Sequence, residues 1–283
     1  MATIAPFAAR KGEVIERLRQ APAAEQGVQP TRWTLLRIRA AFDWLHDYSL
    51  SGVWRLLERL DLGWRWTRPA HFSPDPAYAA KQAHLLACLQ AAARQPEAVV
   101  VVFMDEMGFY RWPSGGWAWM PVAPRPPLVL SCAQNNRQWR LIGALNALTG
   151  QVTYLDDYIV GRHKVAELYQ RLDAVYPRAQ CIFVVQDNWS IHTHPDVLSV
   201  LASLPRLQIV CLPTYAPWLN PIEKLWRWLR QDVLRLHHWA DDWPLLLAQV
   251  HAFLDQFAHG SRDLLRYVGL LGDGTLASAL HCP

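Results

Sequence analysis

None of the five cysteines, Cys88, Cys132, Cys181, Cys211 and Cys282, is spaced from another as C-x-x-C, which argues against a zinc knuckle and against a secreted disulfide framework. No apolar run approaches the roughly 20 residues that span a bilayer. The N-terminal MATIAPFAARKGEVIERLRQ gains charge too early to be a signal peptide. The expectation is a cytoplasmic protein with no membrane partner. Internal repeats and low-complexity tracts are missing as well, the Pro-rich MPVAPRPPL at 120–128 being the single compositional oddity.

What is present is 283 residues, 52% of them hydrophobic, enough for one large core or a core with a small accessory domain. The formal charge of +4 is unevenly divided. Residues 1–95 hold 13 Lys and Arg against 8 Asp and Glu, net +5, and the remainder holds 15 against 16, net −1. A basic first third joined to a near-neutral body suggests a polyanion-binding module attached to something else.

Helical periodicity supports that division. TRWTLLRIRAAFDWLHD (31–47) spaces Leu35, Ile38, Phe42 and Leu45 at helical intervals, and SLSGVWRLLERLD (49–61) does the same with Val53, Leu56, Leu57 and Leu60. Ser49 or Ser51 would cap the second helix, whose outer face offers Arg55 and Arg59 one turn apart. LGWRWTRPAHFSPDP then reads as a small basic wing carrying Arg65 and Arg68. Helix, turn, helix and wing is an arrangement that docks its second helix in the major groove of double-stranded DNA. The expected organisation is a winged helix-turn-helix domain over 1–76, a linker helix over 77–96, an α/β domain over 97–260 and a tail over 261–283.

From residue 97 the pattern changes. AVVVVFMD (98–105), CIFVVQD (181–187) and LQIVCLP (207–213) are continuous apolar runs of strand length, as expected for strands covered on both faces. Between the first two, Thr149-Gly150 marks a hairpin turn, followed by an amphipathic helix in GRHKVAELYQRLDAVYP. HPDVLSVLASLP (194–205) reads as a further helix. The fold class is therefore α/β, a mixed sheet with flanking helices.

Two of the buried runs end on a carboxylate, Asp105 and Asp187. On adjacent strands such side chains stand about 4.8 Å apart, where one must be protonated or a cation must lie between them. Oxygen-only donors favour a hard ion such as Mg²⁺ or Mn²⁺. In LPTYAPWLNPIEKLWRWLRQDVLRLHH, Asn220 is the expected N-cap and Pro221 the first helical residue, which puts Glu223 at the third position. There it is either a capping-box residue or a third acid. Ile222, Trp226, Leu229, Val233 and Leu236 form the expected buried stripe, and Arg227 and Arg230 follow Glu223 on an adjacent one. Glu106 points to the strand face opposite Asp105 and is not expected as a ligand. Asn188, directly after Asp187, is a candidate to support the site or to start a turn.

FMDEMGFY, VVQDNWSIH and LPTYAPWLNPIEKLWRWLR together resemble the three signature blocks of the DDE transposases of bacterial insertion sequences, in the mariner-like superfamily. RWTLLRIRAAFDWLHDYSLSGVWRLLERLDLGW is similar to that family's second helix-turn-helix unit, and the resemblance covers about residues 31–240. The 35 residues between Asp187 and Glu223 fit the family's range. The resemblance implies a ribonuclease H-like fold with Asp105, Asp187 and Glu223 as an acidic triad, Asp105 bridging two Mg²⁺ ions and the others holding one each. It implies cleavage of DNA at the element's ends and joining of the freed 3′-hydroxyl to target DNA, by a homodimer working at the bacterial nucleoid. His192 matches a histidine of the second block, and with Asn188 and Asn220 it is a candidate to orient the acids. Family members carry another DNA-binding unit ahead of the one seen here, whereas about 30 residues with one candidate helix, ARKGEVIERLRQ, precede it in this chain. A non-catalytic DNA-binding remnant and a nuclease of the same fold without strand transfer are the alternative readings.

Overall fold

The computed structural model describes residues 7–24, 30–65, 72–116 and 128–271. The chain forms two compact units, residues 1–70 and 71–283.

The first unit is helical. α1 (Phe7–Arg19), α2 (Leu35–Ala41) and α3 (Leu50–Arg59) share a core of Val14, Ile38, Phe42, Leu45, Val53, Leu56, Leu57 and Leu60. α2 is shorter than the apolar spacing suggests. Phe42 is extended, and Asp43–Leu45 make one 3₁₀ turn that carries Leu45 back into the core. Thr34 caps α2 by accepting from Arg37 N, and Ser49 caps α3 by accepting from Gly52 N. Residues 62–65 are irregular, with no strand among them. Residues 66–71 of the expected wing, with Arg68, lie outside the described residues, as does most of the Pro-rich loop, and residues 72–76 hold no strand.

The second unit is built on a five-stranded sheet of order β3-β2-β1-β4-β5, comprising β1 (Val99–Tyr110), β2 (Gln138–Asn146), β3 (Val152–Asp157), β4 (Cys181–Gln186) and β5 (Leu207–Cys211). β1, β2 and β3 are antiparallel neighbours, whereas β1, β4 and β5 run parallel. This is the mixed sheet the sequence led us to expect. Alternate residues of β1 enter two cores. Val101, Phe103, Met107 and Phe109 face α4 (Tyr78–Arg94), α7 (Ile222–Leu229), α8 (Trp243–Asp255) and α9 (Arg262–Val268). Val100, Val102 and Met104 face α5 (Arg162–Val175) and α6 (Pro195–Ala202). Burial on both sides is why β1 and β4 read as unbroken apolar runs.

Two expected peripheral segments belong to this core. α4 buries Leu85, Cys88, Leu89 and Ala92 against the sheet, at the i, i+3, i+4, i+7 spacing of a packed helix, so it is more than a linker. The segment expected as a tail contains α9, which buries Leu264, Leu265 and Val268 and closes on Gly269 in the left-handed region.

Candidate active site

β1 does not stop at its acid. Its parallel pairing with β4 runs from Val99 opposite Cys181 to Phe103 opposite Val185, and two residues further along the same register Asp105 is level with Asp187. β4 ends at Gln186, while β1 continues to Tyr110 against β2. Asp105 therefore sits where β1 loses one neighbour and keeps the other. A buried strand carries a carboxylate there because β4 no longer covers that edge, at the carboxyl ends of the parallel strands, the place where open α/β sheets bind ligands.

α7 supplies the third acid. Ile222, Leu225, Trp226 and Leu229 are buried and fix the helix's rotation, leaving Glu223 in its first turn, half-buried, beside Asp105. Asn220 is not the N-cap. Its side chain turns instead to β1, where Nδ2 donates to Met104 O at 3.2 Å, and its Oδ1 is buried without a hydrogen-bond partner. Pro221 takes the cap position and α7 starts one residue late, so Glu223 is the second helical residue and makes no capping bond. The capping-box reading of Glu223 falls with it. The expected stripe also ends early: a π turn at Arg230–Leu234 adds a residue to the winding, buries Leu234 beside Val233, and leaves Leu236 outside the helix at φ 57°.

The carboxylates influence one another. Burial first, then the negative charges of Glu223 and Asp187, push the Asp105 carboxyl up to about 7. The Trp226 indole N–H, buried and without a hydrogen-bond partner, faces Asp105 and favours its charged form. Asp187 goes the other way, because the hydrogen bond from His192 outweighs partial burial and holds it below the usual aspartate range. His192 Nε2 lies 3.4 Å from Asp187 Oδ1, its ring is almost fully buried and Trp189 packs edge-on to it. Asp187 also accepts from Trp189 N at 3.0 Å.

Glu106 lies on the other face of β1, as expected, yet it belongs to this neighbourhood. His192 Nε2 is 3.8 Å from Glu106 Oε1, an atom that is buried with no hydrogen-bond partner. Burial, then Asp105 and Asp187, push the Glu106 carboxyl up to about 8. Asn188 does not touch the acids; its Nδ2 donates to Leu212 O at 2.9 Å and fastens the end of β4 to the segment after β5. Arg227 and Arg230 are exposed on the helix that carries Glu223. Arg55 and Arg59 project outward from α3 of the first unit, and Arg65 is exposed in the irregular segment after it.

Among the described residues no group of three or more His, Cys, Asp or Glu side chains is gathered closely enough to share an ion. The donor chemistry nevertheless fits a hard divalent cation. All three candidates are carboxylates, and Asp105 is driven toward protonation in part by the two negative groups that face it, a penalty that a positive ion removes.

A profile of the DDE superfamily endonuclease family matches residues 100–244, just over half of the chain and the whole stretch from β1 through the three acids. The chain belongs to this family. Among curated proteins, "Insertion element IS630 uncharacterized 39 kDa protein" of Shigella sonnei is 28% identical over 223 residues, 78% of this chain. The matched region spans 63% of that relative's length. Among solved structures, the Mos1 strand transfer complex covers 96% of this chain and 78% of its own, with a TM-score of 0.57 and 16% identity. The Mos1 mariner paired end complex with Mn covers 97% and 86%, with a TM-score of 0.55 and 16% identity. At that identity the likeness speaks for the fold, and with the sheet order above it makes this DDE-family core ribonuclease H-like.

Two contributors to the site are not apparent from the sequence. Trp226 is legible there as a buried residue but not as the group facing Asp105. Strand alternation sends Glu106 to the face opposite the acids; the signal that it matters is that this face is buried too, since a carboxylate placed there needs a polar neighbour.

Proposed function

We propose that this protein is the transposase of an insertion sequence, a metal-dependent enzyme that cuts phosphodiester bonds at the ends of its element and joins the freed 3′-hydroxyl to target DNA. The observation that carries the reading is Asp105 at the open edge of β1, level with Asp187 and facing Glu223, inside the matched DDE endonuclease region.

Asp105, Asp187 and Glu223 would hold divalent cations, Mg²⁺ with Mn²⁺ as a substitute. Bound there, the ions would neutralise the charge that builds on the entering and leaving oxygens of an in-line displacement. The chain's own residues prepare the place. His192 keeps Asp187 ionised and oriented, and Asn220 pins the start of α7 to the backbone just before Asp105. The buried face of α7 holds Glu223 in position. Arg227 and Arg230, exposed beside Glu223, are placed to meet backbone phosphates. In the first unit, α3 with Arg55 and Arg59 would enter the major groove, with Arg65 and Arg68 on the flanking backbone. A homodimer would hold the two element ends.

The test uses the purified full-length chain, duplexes carrying the element's ends, and Mg²⁺, Mn²⁺ or a chelator. Strand breaks at the ends that need the cation are expected, together with joined donor and target DNA. Asp187→Ala should abolish both while leaving duplex binding largely intact. Full cleavage by that variant would refute the assignment.

A further inference from the structure

Arg111 and Arg137 have no part in the acidic site. They meet at the outer end of the β1–β2 ladder, where Arg111 N donates to Arg137 O at 2.8 Å. Their guanidinium carbons lie 5.4 and 5.3 Å from the ring centre of the same side chain, Trp243, which is buried. Arg137 also lies 4.9 Å from the centre of Trp139 and 6.0 Å from that of Tyr158.

Neither arginine enters an ion pair among the described residues. Arg111 donates to the Gln134 side chain, and its Nε is buried with no hydrogen-bond partner. Both cations lie against one indole and neither is neutralised by a carboxylate among the described residues, which leaves them available to an anion. Beside them opens a polar cavity of about 640 Å³, walled by the amides of Gln134, Asn135, Asn136 and Gln138 and by Tyr158, which is 55% exposed.

We infer that this cavity is a subsite for one nucleotide of single-stranded DNA. The two guanidiniums take the backbone phosphate, the Tyr158 ring stacks on the base, and the amides hydrogen-bond to the base edge. Paired guanidiniums supply the anion site, whereas an exposed aromatic flanked by amides has no use for a bare phosphate; the combination selects a nucleotide. Tyr110, next to Arg111, pairs with Gln138, five residues along the ladder from the Asp105–Gly143 pair. At about 3.4 Å per residue the subsite lies roughly 17 Å along β1 from the acids. A strand leading away from the reacting phosphate would cross it. This inference rests on the DNA-processing role proposed above.

The experiment measures fluorescence anisotropy of a labelled thymidine decamer with the full-length chain in chelator, over a series of salt concentrations. A single strand is the probe because a helix-turn-helix unit reads duplex grooves. Replacing both arginines (Arg111→Gln with Arg137→Gln) should weaken binding at least tenfold and lower the logarithmic salt slope by about 0.7 for each phosphate that is no longer neutralised. Tyr158→Leu should weaken binding by about fivefold or more with the slope unchanged, because stacking carries no charge. Arg111→Lys with Arg137→Lys should restore the slope, which a folding defect would not allow.

Equal affinity and slope in the wild type and the double glutamine variant would overturn the inference. So would a rise in unfolding temperature with inorganic phosphate that the double variant loses while its decamer affinity stays normal, which would mark a site for free phosphate. A wild-type chain that cuts duplex ends but ignores the decamer also defeats the subsite and leaves the transposase reading standing. Failure to bind or cut duplex ends defeats the transposase reading instead.

Discussion

Trp226 packs against the bare backbone of Gly143: a Cβ built on that glycine would lie 2.8 Å from Cη2 of the indole. Gly143 is the β2 residue directly opposite Asp105. A glycine in the middle of a strand weakens the strand, and here it makes room for the ring that sets the height and rotation of α7 over the acid. Glu223, one turn before Trp226 on that helix, inherits its position from this contact.

Gly143→Ala should therefore harm activity more than stability. The indole is fully buried and has nowhere to swing, so the added methyl costs about 1–3 kcal/mol of overpacking. The accompanying displacement of α7 draws Glu223 off Asp105. Thermal unfolding together with cation-dependent cleavage checks this. A variant that melts a few degrees lower yet cleaves at the wild-type rate would show that α7 is held by other parts of the core.

Asn220 makes a similar point through hydrogen bonding. Its amide is the donor to Met104 O, next to Asp105, and Asn220→Ala leaves that buried carbonyl unpaired, at a cost of about 1–3 kcal/mol. Asn220→Asp removes the donor and adds a negative charge to a neighbourhood already rich in them. Its loss of stability should exceed that of the alanine variant at alkaline pH and approach it at acidic pH. Denaturant unfolding at both pH values decides; identical losses would mean that the aspartate's charge does not reach the acids.

His192 should matter through Asp187. Removing it in His192→Ala takes away the bond that holds Asp187 below the usual aspartate range, so the Asp187 carboxyl titrates closer to its ordinary value. The cation concentration needed for half-maximal cleavage should rise about 10- to 100-fold, the usual cost of losing a group that orients a ligand. An unchanged cation requirement would assign His192 to packing alone.

How much of this is readable in the sequence varies along the chain, for physical reasons. Strands covered on both faces carry few polar residues, so Val99–Met104 and Cys181–Val185 announce themselves, and Asp105 and Asp187 mark where cover ends. The extension of β1 to Tyr110 is hidden, because its outer half pairs only with β2 and its composition is mixed. α4 and α9 read as linker and tail because amphipathic periodicity shows that a helix has a buried face and says nothing about which surface covers it. Asn220 followed by Pro matches the strongest local signal for a helix start and still fails, since a buried asparagine with a strand carbonyl in reach gains more from that bond than from its own helix. Local signals specify element types; side-chain partners come from tertiary packing.

The pH dependence of stability gives a test that needs no DNA. Asp105 and Glu106 titrate in the folded chain at about 7 and about 8, above the ordinary values of 3.8 and 4.5. Between those limits the folded state keeps protons that the unfolded chain releases, so the stability these groups contribute is whole only below 3.8 and 4.5, falls as the pH rises from there, and is gone once the pH has passed about 7 and 8. Asp187 has the opposite sign, its contribution being present above 3.8 and lost only as the pH falls through its depressed value. In chelator, denaturant unfolding should show stability falling from mild acid to about pH 8 by an amount on the order of a few kcal/mol. If Mg²⁺ or Mn²⁺ occupies the site as proposed, it binds the ionised carboxylates and should recover much of that loss, with a small effect in acid and a large one in mild alkali. Glu106→Gln should flatten the upper part of the profile, because the amide never has to ionise in its buried site. Stability that is level across this range, or a cation effect of equal size at both ends, would mean that the carboxylates do not share the electrostatic environment described here.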